Sequence, residues 1–190
     1  AGRYRLERQI ARGGMGSVWL ATHLQLDAPV AIKFMTTNLE PSLIARFERE
    51  AKACARLNSP HIVKVSDFGV ENDAPFMVME LLTGEDLGVR LKRDGKIPFD
   101  RLALMAEQIG RGLGVAHEAG IVHRDLKPAN VFLARTGREE VIKLLDFGVA
   151  RETEQRMVDD LTTSGLVLGS PHHMSPEQAA GESVDGRSDL

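Results

Sequence analysis

Cysteine is nearly absent from this 190-residue chain: Cys54 is the only one, so no internal disulfide can staple the fold. Nothing points to an oxidising compartment, and cytosolic placement is the expectation. An excess of charge of either sign is missing too. The 24 Lys and Arg stand against 27 Asp and Glu, a formal net charge of −3, which argues against a nucleic-acid binder that relies on bulk positive charge. No apolar stretch approaches the roughly 18 residues that would read as a membrane span. The sequence contains no internal repeat and no low-complexity tract. Its first residues, Ala1-Gly2-Arg3-Tyr4, have neither an initiator Met nor the apolar core of a signal peptide. That predicts a piece of a larger protein, with sequence missing at both ends and a membrane anchor elsewhere left open. What is present is ordinary for a core-forming chain: 43% apolar and 27% charged residues, with a mean hydropathy of −0.17.

The first eighty residues read as β-rich with one helix. Tyr4 to Ala11 and Ser17 to Thr22 are strand-like runs on either side of Gly13, Gly14 and Gly16, which predicts a hairpin with a glycine tip. Pro29 to Met35 is a third strand, whose alternation sends Val30 and Ile32 to one face and Ala31 and Lys33 to the other. Pro41 to Leu57 has a helical apolar stripe, Ile44, Phe47, Ala51 and Cys54, with Glu50 at its margin. A carboxylate there needs a partner, because burying an unpaired charge is costly. Cys54 itself reads as a small core residue. Strands are expected at about Ile62 to Val65 and Phe76 to Glu80, and the pattern changes around Leu82-Thr83-Gly84-Glu85. Two domains follow, residues 1–81 and 82–190. The second opens with a short helix near Asp86 to Arg93. A long helix runs from Phe99 to Gly120, with Leu102, Met105, Ala106, Ile109, Leu113 and Ala116 on one face. Val131 to Ala134 and Val141 to Leu145 should pair as a hairpin, and Asp146 to Ser175 shows no regular element.

A hairpin returns the chain to its starting end, so Asn130, before the first of those strands, and Asp146, after the second, should lie side by side. An amide oxygen and a carboxylate suit a hard cation such as magnesium. Asp125, in His123-Arg124-Asp125, is a second carboxylate at the same mouth, available as a base or positioner. On the other wall of the expected cleft, the glycine tip offers backbone N–H groups to phosphate, and Lys33 adds a positive charge with Glu50 as its natural partner.

In order along the chain stand Gly13-x-x-Gly16-x-Val18, Val30-Ala31-Ile32-Lys33, Glu50, His123-Arg124-Asp125-Leu126-Lys127-Pro128-Ala129-Asn130, Asp146-Phe147-Gly148 and Ser175-Pro176-Glu177. This order resembles the protein kinases over essentially the whole chain. Gly-Gly-Met-Gly and His-His-Met-Ser-Pro-Glu-Gln resemble the bacterial, eukaryotic-type serine/threonine kinases. The resemblance implies an α+β, two-lobed protein-kinase-like fold, with a small β-rich N-lobe and a helical C-lobe truncated at the start of its central helix. It implies a catalytic loop at 123–130 and an activation segment at 146–177. ATP and magnesium are the implied cofactors, and proteins bearing Ser or Thr the implied substrates. Ile10 to Val18, with Gly13, Gly14 and Gly16, would cover the phosphates; Lys33, paired with Glu50, would hold them; Asn130 and Asp146 would hold magnesium. Asp125 would orient the substrate hydroxyl, and Lys127, as in the serine/threonine branch, would contact the transferred phosphate. Val18, Ala31 and Phe132 would sandwich adenine, Glu80 and Leu82 would meet its edge, and Met79 would guard the pocket behind.

Arg124 resembles the family's anchor for a phosphorylated activation loop, with Thr162, Thr163 and Ser164 placed to supply the phosphate; the same hydroxyls also read as ordinary polar loop residues. Gly169-Ser170-Pro171 resembles the substrate-docking turn, while His172 and His173 read as loop residues. Two departures stand out. Ala11 replaces the family's first loop glycine, which would cost about 1–2 kcal/mol if that backbone needed positive φ. Asp189 resembles the residue that holds the catalytic loop from beneath, yet the sequence stops at Leu190, so Glu177 is expected to lack its arginine partner and the long helix part of its cover. Poor stability or aggregation of this fragment is the expectation. The alternatives are a pseudokinase or nucleotide-responsive scaffold, and a small-molecule phosphotransferase of related fold.

Overall fold

The computed structural model describes residues 2–13, 16–35, 41–71, 74–137, 139–147 and 171–190; the side chains of 41–43, 46, 50 and 171 lie outside that description. The chain divides into two compact units, one of residues 1–56 and 63–82, the other of 57–62 and 83–190.

The first unit is an antiparallel five-stranded sheet with one helix. Its strands are β1 (Tyr4–Gly13), β2 (Gly16–His23), β3 (Ala28–Met35), β4 (Val65–Glu71) and β5 (Ala74–Glu80), in the order β1-β2-β3-β5-β4. The register places Ile32 opposite Trp19 and Val78, and Ala21 opposite Val30. Ala21, Ile32, Phe76 and Val78 form the core on that face, none more than 5% exposed. Burial on this scale contributes about 1.5–3 kcal/mol for each large side chain. Gly16 closes the β1–β2 hairpin at φ 141, and a Cβ there would lie 1.9 Å from the Phe34 carbonyl oxygen, so only glycine fits. Helix α1 (Pro41–Ala55) packs on β4 and β5 and buries Phe47, Ala51 and Cys54.

Two boundaries differ from expectation. Helix α1 ends at Ala55 rather than Leu57, because its last turn tightens to an Arg56 N–H bond to Ala53 and Pro60 then disfavours helical backbone. The fourth strand is not Ile62–Val65 but Val65–Glu71. Ile62 and Val63 are apolar because they are buried, not because they are strand, whereas β4 is a sheet edge and tolerates Ser66, Asp67 and Glu71.

The second unit holds α2 (Leu87–Asp94), α3 (Phe99–Glu118), the short α4 (Pro176–Ala179) and a three-stranded sheet β6-β7-β8 (Gly84–Asp86, Val131–Thr136, Glu139–Leu144). Strand β6 has no counterpart in the sequence reading: three residues carry too little pattern. Its Gly84, at φ 141, approaches the Leu133 carbonyl so closely that a Cβ would lie 2.0 Å from the oxygen. Asp86 caps α2 through the Val89 N–H, and Gly95 and Gly120 end α2 and α3 at positive φ. The buried face of α3 is Met105, Gly112, Leu113 and Ala116, packed on β8; Leu102 and Ala106, expected inside, are exposed, and so is Phe99. Gly112 sets that rotation, since a Cβ there would press on His61 and Leu144. Residue 62 bridges β8 in parallel, and Gln108 of α3 accepts the Ile142 N–H. Arg90, bonded to Glu85 and Glu140, joins α2 to both sheet edges, and Arg101 of α3 meets the same Glu140.

Candidate active site

In the first unit, antiparallel pairing gathers the predicted residues on one face. Lys33 lies opposite Val18 and Met77, and Ala31 opposite Leu20 and Met79, on the side away from Ile32 and Val78. Ala31 and Met79 are buried, Val18 and Lys33 half-buried, Ile10 exposed. Glu80 bonds twice to the Lys64 backbone, its N–H donating to the carbonyl and its carboxylate accepting the N–H, and half-buried Leu82 follows two residues on. Gly13 pairs with Gly16 across the hairpin, while Gly14 lies outside the described residues. Ala11, opposite Val18, is not among the non-glycine residues with positive φ, so alanine there carries no backbone cost. The side chain of Glu50 lies outside the described residues, and with it the predicted Lys33–Glu50 pair; the same holds for Thr162, Thr163, Ser164, Gly148, Gly169 and Ser170.

The second unit brings Asp125, Lys127 and Asn130 together. Asp125, 5% exposed, accepts at Oδ2 from Lys127 Nζ at 2.7 Å and from Asn130 Nδ2 at 3.0 Å, while its carbonyl accepts from the same amide at 2.8 Å. That fixes the Asn130 carboxamide and leaves its oxygen as the atom suited to a cation. A 3₁₀ turn, Pro128–Asn130, leads into β7, and the β7–β8 ladder extends one step beyond the strands through the Leu145 N–H bond to the Asn130 carbonyl. Asp146 is the next residue, at φ 53. Phe132 lies on β7 opposite Lys143.

His123 and Asp189 organise the loop that carries Asp125. The His123 ring is fully buried, donates from Nε2 to the Leu145 carbonyl at 2.8 Å, accepts the Asp125 N–H at Nδ1, and packs on Phe147. Burial pushes its pKa down, against the pull of the Asp189, Asp125 and Asp146 carboxylates. Asp189 accepts three bonds: the His123 and Arg124 N–H groups, each at 2.8 Å, and His117 Nε2 at 2.7 Å. Arg124 is held at φ 63 between them. Glu177 accepts from the Ser188 hydroxyl, which lowers its pKa.

Two contacts had no sequence counterpart, His117 on Asp189 and Gln178 on the Arg124 carbonyl at 2.7 Å. Only the second left a readable signal. Ser175-x-x-Gln178 is a capping-box signature, and both of its bonds form.

Residues 4–190 match the family of the protein kinase domain. The chain belongs to the protein kinase family. It is 43% identical over 195 residues to the serine/threonine-protein kinase pkn3 of Myxococcus xanthus, covering 99% of this chain and 35% of that protein. It is 41% identical over 197 residues to the serine/threonine-protein kinase PknA of Mycobacterium tuberculosis, covering all of this chain and 44% of that one. Among solved structures, the Mycobacterium tuberculosis PknI kinase domain matches with a TM-score of 0.79 at 28% identity, over 99% of this chain and 68% of that chain. The chain spans less than half the length of the curated kinases it matches. No helix among the described residues is long and apolar enough to cross a membrane.

Proposed function

We propose that the protein transfers the γ-phosphoryl group of ATP to Ser or Thr hydroxyls of protein substrates, in bacterial signalling. The observation that carries the reading is the Asp125–Lys127–Asn130 cluster: a buried carboxylate held by an ammonium and an amide, in a loop pinned through Asp189. Asp125 orients the acceptor hydroxyl and takes up its proton, and Lys127 neutralises the transferred phosphoryl group. Lys33, on the face it shares with Val18, Ala31 and Met79, holds nucleotide phosphates in partnership with Glu50. The β1–β2 hairpin with Gly13, Gly14 and Gly16 covers those phosphates, and Ile10, Glu80, Leu82 and Phe132 contact the nucleoside.

Asn130 and Asp146 fit a magnesium ion. Both offer hard oxygen donors at the open end of one hairpin, where the Leu145 N–H bonds to the Asn130 carbonyl. Bound there, the ion neutralises charge on the phosphate oxygens. Arg124, Thr162, Thr163 and Ser164 form the regulatory set, with autophosphorylation of the activation segment as the switch. The domain boundary falls near residue 82.

The test is Asp125→Asn in the full-length protein, with a Ser/Thr-containing protein substrate and ATP binding measured in parallel. Turnover is expected to fall roughly 10²- to 10⁴-fold with nucleotide affinity retained. Turnover near wild type would remove the assignment.

A further inference from the structure

We infer that Gln178 is a positioning residue for phosphoryl transfer, bracing the peptide between Arg124 and Asp125; the inference rests on the catalytic reading of Asp125 above. Arg124 occupies the left-handed region at φ 63, a conformation that a non-glycine residue keeps only when its neighbours over-determine it. Asp189 grips its N–H from one side. The peptide on its other side is held at both polar atoms: the Arg124 carbonyl accepts from Gln178 Nε2 at 2.7 Å, and the Asp125 N–H donates to His123 Nδ1 at 3.3 Å. Rotation of that peptide would swing the Asp125 carboxylate away from Lys127 and Asn130.

The chemistry selects an amide at this position. Gln178 is 7% exposed, and its Oε1 accepts the Ser175 N–H at 3.1 Å while its own backbone N–H donates to Ser175 Oγ. The capping box thus turns the carboxamide oxygen toward Ser175 and the NH₂ toward Arg124. Glutamate completes a capping box equally well. At this site it would set a second oxygen acceptor against the Arg124 carbonyl in place of a donor. The requirement for glutamine therefore comes from the catalytic loop, not from α4.

The decisive comparison uses Gln178→Glu, which keeps the capping acceptor and loses the donor, and Gln178→Met, which keeps the volume and loses both. Steady-state kinetics in the full-length protein are read with amide hydrogen exchange at Asp125. Both variants are expected to lose about tenfold to a hundredfold in kcat. The KM for ATP should stay within about twofold, and the Asp125 amide should exchange faster. If Gln178→Glu does not fold, Gln178→Met decides alone. The inference is overturned by kcat within about twofold of wild type. It is overturned equally by kcat falling with Asp125 exchange unchanged, or by protection lost throughout the second unit, the signature of a merely structural role. Were the wild-type protein inactive, the catalytic reading would fall while the exchange measurement still tested the brace.

Discussion

His123 is a histidine without water around it, and its two ring nitrogens have opposite duties. Nε2 must donate to the Leu145 carbonyl and Nδ1 must accept from the Asp125 N–H, which only the neutral ring can do. A proton on Nδ1 would break the second bond and place a cation in a fully buried site. The unfolded chain takes that proton near the ordinary imidazole value of 6.5, and the folded chain only at lower pH. Between those values the unfolded state holds more protons, so stability rises with pH in that window, is lost as the pH falls through it, and is flat above and below. Asp185, held down to about 2 by its bonds to Arg187, and Glu177, held down by Ser188, also lose stability in acid, but only below their ordinary 3.8 and 4.5. Denaturant titrations are therefore expected to show the unfolding free energy declining from about pH 6.5 downward. The decline should be absent above pH 5 in a His123→Phe variant. Identical profiles for the two proteins would show that the imidazole is not its source.

At the scale of elements, the least legible strand has a strict chemical requirement. Strand β6 is three residues long, yet Gly84 lets it lie against β7 with a carbonyl oxygen where a Cβ would be. Gly84→Ala combines a disfavoured backbone angle with a clash that only separation of the two strands relieves. A loss of about 1–3 kcal/mol in unfolding free energy is expected, with exchange of the Glu85 and Leu133 amides accelerated first. Longer elements were legible because they repeat their signal. The alternation of Val30, Ala31, Ile32 and Lys33 fixed both faces of β3, and the hairpin from Val131 to Leu144 put Asn130 and Asp146 at one mouth. Pattern failed where tertiary burial replaces local regularity. Ile62 and Val63 imitate a strand because they are buried, and the face of α3 is turned by the close approach at Gly112, a contact with residue 61 that no local window contains. The positive φ at Arg124 was illegible for the same reason: arginine does not favour it, and the groups that hold it, Asp189 and Gln178, come from far along the chain.

Across the whole molecule, residues 186–189 tie back onto the middle of the second unit. The 3₁₀ turn Gly186–Asp189 returns Asp189 to a loop 65 residues earlier in the chain, and this fully buried carboxylate is the common acceptor for His117, His123 and Arg124. Ser188, one residue before, bonds to Glu177 of α4. Replacing Asp189 with Ala leaves two backbone donors and an imidazole facing a cavity, and each buried donor left unsatisfied costs about 1–3 kcal/mol. Relaxation of Arg124 out of its positive φ would recover part of that and displace Asp125. The expected loss is about 3–5 kcal/mol, the scale of removing one partner from a buried charged network. It should be confined to the second unit, because none of the three partners belongs to the sheet β1-β2-β3-β5-β4. Hydrogen exchange can separate the two units amide by amide. Protection should collapse around residues 117–130 in Asp189→Ala while the amides of Ile32 and Val78 keep theirs. If both units lost protection together, Asp189 would be supporting the folding of the entire chain rather than the geometry of its catalytic loop.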